Sequence, residues 1–350
     1  MPSTPRLLAA AVGAVCLVTL AACGGHDEPR AAPSPSSPTP TPTPTASTVA
    51  APPPTCPLTV RPLRKGQSRG RVALAVNIDN VDVARPQSGV DKADLVVEET
   101  VEGGLTRLFA VFQCDSAPVI GPVRSARTTD SDLIRLFGKA VFGYSGANGR
   151  VNAIINRTPG AVALSYDRYG GLFHRSGSRP APHNVYSSTS TLVQAALRNH
   201  PHLKAPRRLF AYARTTKAGT KARSLYIRWS GFASAGWGWN GQVWRRSQNG
   251  RPDMLVSGHR VGAANVVVMQ IKTRYMGLHD VLGNPSPDDV VTGSGKVYVF
   301  RSGRMIIGKW TRHTARSKLR LRDGKGRVLR LAPGRTWIEL LPPQGSLTHN

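Results

Sequence analysis

Nothing in this 350-residue chain before Cys56 can build a core. From Ala31 to Thr55 the sequence is almost entirely Pro, Ser, Thr and Ala, with prolines at 33, 35, 38, 40, 42 and 44 and again at Pro52 to Pro54. Such a tract buries no apolar face and favours an extended polyproline-like conformation of about 3.1 Å per residue. It is expected to serve as a linker or a stalk. Ahead of it, Leu7 to Leu20 forms an apolar run behind Arg6 and leads into Ala21-Ala22-Cys23-Gly24-Gly25. That order predicts a secretory signal peptide over residues 1–22, whose removal leaves Cys23 as an N-terminus that carries lipid. The run is short for a transmembrane helix, which needs about 20 apolar residues. The expected location is the outer face of the cell membrane, anchored by lipid on Cys23, with residues 23–56 forming the lipidated start and the linker.

The cysteines follow from that placement. Cys16 leaves with the signal peptide and Cys23 takes the lipid, so Cys56 and Cys114 remain. In an oxidising exterior two remaining cysteines suggest one disulfide. The alternative is a nucleophilic Cys114 with His183 as its base, but nothing around Cys114 resembles a nucleophile motif.

Charge is sorted along the chain. The formal net charge is +28, yet Asp79, Asp82, Asp91, Asp94, Glu98, Glu99 and Glu102 face only Arg85 and Lys92. Between Arg124 and Arg274 the only acids are Asp130, Asp132, Asp167 and Asp253, and between Arg301 and Arg335 only Asp323. A surplus of this kind favours polyanionic neighbours such as anionic headgroups, phosphate-bearing wall polymers or nucleic acid. An exterior location argues against nucleic acid as the physiological partner. A solvated, arginine-rich surface with no dedicated ligand is the plainer reading.

The residues after Cys56 suffice for two domains with cores. The predicted fold class is α+β: a mixed α/β domain over 57–222 followed by a smaller, mostly-β domain over 223–345. The first opens on the alternating strand Val72–Asp79, with further strands near Ala93–Thr100 and Leu105–Gln113. Thr129–Lys139 and Ser188–Asn199 read as helices with Ser or Thr caps. All six tryptophans fall in the second part, where Val297–Phe300 with Met305–Trp310, and Lys318–Leu321 with Val328–Leu331, read as hairpins. Tryptophans at strand positions are expected to pack a small β core. In Gly236-Trp237-Gly238-Trp239 the glycines leave room for the rings to be exposed.

The chemistry concentrates between Asp79 and Arg127. There the chain carries Ala84-Arg85-Pro86-Gln87-Ser88-Gly89, Glu102-Gly103-Gly104-Leu105-Thr106-Arg107 and Gly121-Pro122-Val123-Arg124-Ser125-Ala126-Arg127; Ala181-Pro182-His183-Asn184-Val185-Tyr186 follows later. With these motifs the sequence resembles the YerB-like family of bacterial lipoproteins, a two-part family of unknown function. Gly293-Ser294-Gly295-Lys296, Gly308-Lys309-Trp310 and Ala332-Pro333-Gly334-Arg335-Thr336-Trp337-Ile338 extend the resemblance, which covers about 70 to 343. Asn284-Pro285-Ser286-Pro287 departs from the family's usual strand connection.

Read unaided, Arg85, Arg107, Arg124 and Arg127 come from separate strands and loops, and Arg124 and Arg127 flank Ser125 ahead of a helix start. Guanidinium forks beside a helix N-terminus suit phosphate, pyrophosphate or carboxylate. Asp79, Glu98 and Glu102 are candidates to orient those arginines or to hold a hard cation beside a pyrophosphate, and His183 is a loop hydrogen-bonding residue or a base. The competing reading is an ion-pair network that closes the fold. The chain also loosely resembles the LytR-CpsA-Psr phosphotransferases, with Arg85, Asp94, Arg124 and Arg127 as counterparts. The Asp94-to-Arg124 spacing is longer than that family's, and Arg-Ser-Ala-Arg replaces its closing Arg-Asp pair.

No Gly-x-Ser-x-Gly, Ser-x-x-Lys, His-Glu-x-x-His or Walker loop is present, and no zinc-ligand cluster, so neither cofactor nor metal is expected. The leading expectation is a non-enzymatic binder of an anionic envelope component or an envelope protein. The alternatives are a phosphotransferase acting on lipid-linked wall glycopolymer and a scaffold that docks a protein partner through a β-edge.

Overall fold

The computed structural model describes residues 53–350, so the signal peptide, Cys23 and most of the linker lie outside the described residues. Counting strands of four residues or more, the first segment supplies β1 (Leu74–Asp79), β2 (Leu95–Thr100), β3 (Thr106–Phe112), β4 (Ala140–Tyr144) and β5 (Ala161–Ser165). Its helices are α1 (Thr128–Ile134), α2 (Gly149–Arg157) and α3 (Thr189–Asn199). The second segment supplies β6 (Ser224–Arg228), β7 (Ser234–Trp239), β8 (Trp244–Gln248), β9 (Asn265–Gln270), β10 (Lys272–His279) and β11 (Pro285–Val290). It continues with β12 (Gly293–Arg301), β13 (Arg304–Arg312), β14 (Arg320–Asp323), β15 (Thr336–Leu341) and β16 (Ser346–His349). The α+β expectation, with a β-rich C-terminal part, is met.

An 11-stranded sheet runs in the order β14-β13-β12-β9-β15-β2-β3-β1-β4-β5, with the short strand Thr220–Lys221 on β13. The boundary expected at residue 222 does not divide this sheet. β15 lies parallel to β9 on one side and parallel to β2 on the other, with Val96 opposite Trp337 and Glu98 opposite Glu339. The two segments therefore share backbone hydrogen bonds across a central seam.

β1 reads as alternating, yet all six of its residues are buried. Both faces of the sheet are covered. Leu74, Val76 and Ile78 join Leu192 of α3 and Ile227, Trp237 and Trp244 of a second sheet, ordered Arg251–Pro252, β8, β7, β6, β16. Ala73 and Ala75 join Leu133 of α1 and Val151 and Ile155 of α2 on the other face. Tryptophans pack the β part as expected: Trp229, Trp237, Trp244 and Trp337 are buried in one core with Trp239 half-buried against it, and Trp310 is buried in the other. The glycines beside Trp237 leave its ring buried, not exposed.

Ser188 caps α3 as expected, its side chain accepting from Thr191 N at 3.0 Å. The residue ahead of α1 is Arg127, whose amide donates to the Asp130 carboxylate at 2.6 Å. α2 escapes the sequence reading because Val151, Ile154 and Ile155 give it only a narrow apolar stripe. The Pro285-Ser286-Pro287 run lies in β11, paired with β10 across a register shift between Tyr275 and His279. A disulfide joins Cys56 to Cys114 with Cα atoms 5.9 Å apart, which leaves no nucleophilic thiol at Cys114.

Adjacent glutamates of β2 point to opposite faces. Glu98 Oε2 accepts from Arg246 at 2.5 Å, whereas neither carboxylate oxygen of Glu99 has a hydrogen-bond partner. Burial, together with Asp130 and Asp289, raises the Glu99 carboxyl well above the usual range and so favours its neutral form. Glu98→Gln is expected to destabilise the fold by about 3 kcal/mol, because it removes a countercharge from a buried guanidinium. Glu99→Gln mimics a protonated acid and is expected to cost less than about 1 kcal/mol. Chemical denaturation of the two variants decides this; equal losses would refute the assignment.

Candidate functional site

Three of the motifs singled out in the sequence converge at the end of β1. Asp79 N donates to Pro122 O at 2.9 Å, and Arg124 N donates to Asn77 O at 2.8 Å, so the 121–127 loop runs alongside the strand end. Val123 N donates to Val185 O at 2.6 Å, and Ser88 N to Gly121 O at 2.8 Å. Gln87 Nε2 donates to the Asp79 carbonyl at 3.1 Å, and Arg179 Nη2 to the Pro86 carbonyl at 2.6 Å. Each loop is thus held by the next, and all are seated on a buried strand.

Asp79 is the node. Its carboxylate is 1% exposed, with Oδ2 at 2.7 Å from His183 Nδ1 and 3.1 Å from Arg124 Nε. A buried carboxylate on Nδ1 fixes the ring orientation and its tautomer. The two partners reach solvent, with side chains 25% exposed for Arg124 and 18% for His183. One internal acid therefore holds both Arg124 and His183 at the surface.

The remaining sequence candidates are distributed differently. Arg127 is engaged by Glu102, its Nε and Nη2 donating to Oε2 at 2.9 and 2.5 Å. Burial works against the Glu102 charge, but Arg127 and the Ser286 hydroxyl outweigh it and hold the carboxyl below its usual range. Arg107 is buried and donates to the Ser125 carbonyl at 2.9 Å; burial and the nearby Arg127 push it down to about 9. Arg85 donates to the Asn80 carbonyl at 2.6 Å and pairs with Asp82. Ser125 contributes its backbone carbonyl, not its hydroxyl, to Arg107 and to Asn77 Nδ2.

Glu98 corrects the sequence reading: it lies on the other face of β2 and orients none of the four arginines. It accepts from Asn80 Nδ2 at 3.0 Å and Thr106 Oγ1 at 2.7 Å, and pairs with Arg246. Asp94 is also elsewhere, capping the amides of Gln113 and Cys114 at 2.7 and 2.9 Å. The helix-end anion cradle is not formed, since α1 is one short turn pair whose Asp130 already accepts from the Arg127 amide.

The sequence reading missed a group behind the site. Asn77 Nδ2 donates to Asp130 at 2.7 Å, and Asp289 accepts from Thr100 N and Thr100 Oγ1, each at 2.8 Å. Spacing gives no hint of Asp289, which arrives from β11 in the other segment. Burial pushes both Asp130 and Asp289 up to about 6. Among the described residues no group of three or more His, Cys, Asp and Glu side chains is placed to hold a metal ion.

Fold and site together define a class of α+β protein in which two sequence segments share one mixed sheet, with an aspartate at a central strand end gathering an arginine and a histidine. Residues 58–202 match the N-terminal domain, and residues 225–338 the C-terminal domain, of the family described as protein of unknown function DUF3048. The chain belongs to that family. It is 28% identical over 281 residues to a Bacillus subtilis (strain 168) protein named "Putative lipoprotein YerB", spanning 78% of this chain and 82% of the relative. The crystal structure of the YerB protein from Bacillus subtilis superposes with a TM-score of 0.73 at 25% identity, covering 84% of this chain and 99% of that one. The resemblance expected from the motifs is thereby borne out.

The raised carboxyls have a consequence for pH. Their folded values near 6 lie above the usual 3.8, so the folded protein holds these protons over a window in which the unfolded chain has released them. Stability from this source is complete below about pH 4 and is lost as pH rises through 6. Lowering the pH from 7 to 5 is expected to add about 1.4 kcal/mol per group, and to raise the melting temperature by roughly 4 °C. Calorimetry across that interval checks the sign; a falling midpoint would contradict it.

Proposed function

We propose that this protein is a lipid-anchored envelope protein whose Arg124 and His183 bind a phosphate- or pyrophosphate-bearing envelope component. The observation that carries the reading is the single buried carboxylate of Asp79 holding both side chains at a partly exposed surface. Arg85, Arg107 and Arg127 are already engaged by internal acceptors, and they shape the loops on which Arg124 and His183 sit. The name of the Bacillus relative supports lipid on Cys23, as does the order of charged, apolar and small residues before it. Secretion by the signal peptide places the body on the outer face, and the proline tract carries it away from the membrane.

One observation favours a second reading. His183 receives the Asp79 carboxylate on Nδ1, and Nε2 has no hydrogen-bond partner among the described residues. An imidazole so oriented is equipped to move a proton, and Arg124 stands beside it to stabilise charge on a phosphoryl oxygen. This supports a phosphotransferase acting on lipid-linked glycopolymer.

Both readings rest on the same pair and separate in one experiment on the full chain with a polyprenyl-pyrophosphate glycan. Binding predicts that Arg124→Ala weakens affinity by about tenfold at high salt, as expected for a charge-assisted contact worth about 1.5 kcal/mol. His183→Ala does the same under the binding reading. Under the transfer reading His183→Ala leaves affinity intact and abolishes turnover. If Arg124→Ala and His183→Ala both bind as the parent does and no turnover is seen, the site is structural and both readings fall.

A further inference from the structure

The formal charge understates how positive the surface is. Of the 17 acidic side chains among the described residues, 11 are buried: Asp79, Asp94, Glu98, Glu99, Glu102, Asp115, Asp130, Asp253, Asp288, Asp289 and Glu339. Among the described residues the buried bases are Arg107, Arg246, Arg301 and Arg312. The fold therefore keeps its acids inside and its bases outside, and the resulting field needs to be read where the surface is concave.

Such a place lies on the edge of the molecule away from Asp79. A cavity of about 540 Å³ is bounded by the turn that follows α1, by residues 202–209 after α3, and by the loop from β13 to β14. Its rim carries Lys139, Lys204, Arg207, Arg208, Arg316 and Lys318, all exposed, and no acid lines it. Among the described residues none of the six forms an ion pair.

The walls are fixed. Phe137 belongs to the core, and Leu136 and Leu209 pack against it. The buried Arg312 donates to Asp132 O at 2.7 Å and to Ala315 O at 2.6 Å, pinning the loop that carries Arg316 and Lys318 to the end of α1. Burial, partly offset by Asp132 and reinforced by Arg135, pushes Arg312 down to about 10.

We propose that this groove binds a flexible phosphodiester polymer of small polyol or sugar units. Phosphates spaced along a thin chain reach cations on both walls of a concave channel, and each neutralised phosphate releases a counterion. Single-stranded nucleic acid is a poorer fit, because no exposed Phe, Tyr or Trp ring lines the groove and His202 alone offers a ring to stack a base. A membrane surface is flat, and the most exposed apolar side chains, Val281 and Leu282, lie on the β10–β11 hairpin instead of this rim. The groove shares no residue with Asp79, Arg124 and His183, so the two sites succeed or fail separately.

The test measures binding of poly(glycerol phosphate) to the full chain over a salt series. Single-stranded DNA of equal phosphate number and equimolar phosphatidylglycerol–phosphatidylcholine vesicles serve as comparators. Lys204→Glu/Arg207→Glu/Arg208→Glu is expected to weaken polymer binding by at least about tenfold, and to reduce the salt slope by about two. Lys221→Glu/Arg223→Glu/Arg228→Glu, the same charge change on exposed positions elsewhere, is expected to cost less than about threefold. If the triple variant fails to fold, Arg316→Glu/Lys318→Glu reads the opposite wall and must weaken the polymer likewise. Equal losses from groove and control variants would overturn the proposal. So would DNA or vesicles binding as tightly as the polymer with the same dependence on the groove.

Discussion

A single buried guanidinium holds the two sheets and the two segments together. Arg246 of β8 donates to Glu98 of β2 and to Asp253, each at 2.5 Å. Its Cζ lies 4.8 Å from the ring of Trp337 in β15 and 5.9 Å from that of Trp237 in β7. Burial opposes the charge, but Glu98, Asp253 and Glu339 outweigh it and raise the Arg246 pKa. An unpaired guanidinium in that place costs several kcal/mol, so the sheets close only when every partner is in position. The seam needs the same residue for another reason. Glu98 and Glu339 face each other across β2 and β15, where two like charges repel. Burial and the Glu98 charge raise Glu339 well above the usual range, and Trp237 Nε1 donates to its Oε1 at 2.7 Å.

The sequence made local structure legible wherever a periodicity or a cap was strong. The strands ending at Asp79, Thr100 and Phe112, the helix behind Ser188 and the β12–β13 hairpin are all close to where their patterns place them. The seam was not legible, because parallel pairing of β2 with β15 joins residues far apart in the chain and leaves no local trace. The alternation of β1 was misleading for a related reason. It records which side chains share a face, and it is silent on whether the second face meets water or another layer.

The site was legible as a list and illegible as a geometry. Arg124 and His183 do meet at Asp79, whereas Arg107, Arg127 and Glu102 join through the 121–127 loop and Arg85 is held by Asn80 and Asp82. What spacing could not supply was the strand face. Glu98 and Glu99 differ by one position and belong to different networks, because successive residues of β2 point to opposite sides. Nor could spacing supply partners from the second segment, such as Asp289 beside Thr100 and Ser286 beside Glu102.

The distribution of partners separates arginines that build from arginines that are available. Arg127 is paired to Glu102 through two nitrogens, Arg107 is capped by a carbonyl, and Arg85 is held by Asn80 and Asp82. Each satisfies an internal acceptor that would otherwise be buried without a donor. Arg124 is different because its acid is shared. Asp79 holds a guanidinium and an imidazole on one carboxylate oxygen, and both side chains reach the surface. The two side chains sit at the end of a strand that is buried on both faces and tied to three loops, so the fold fixes their positions.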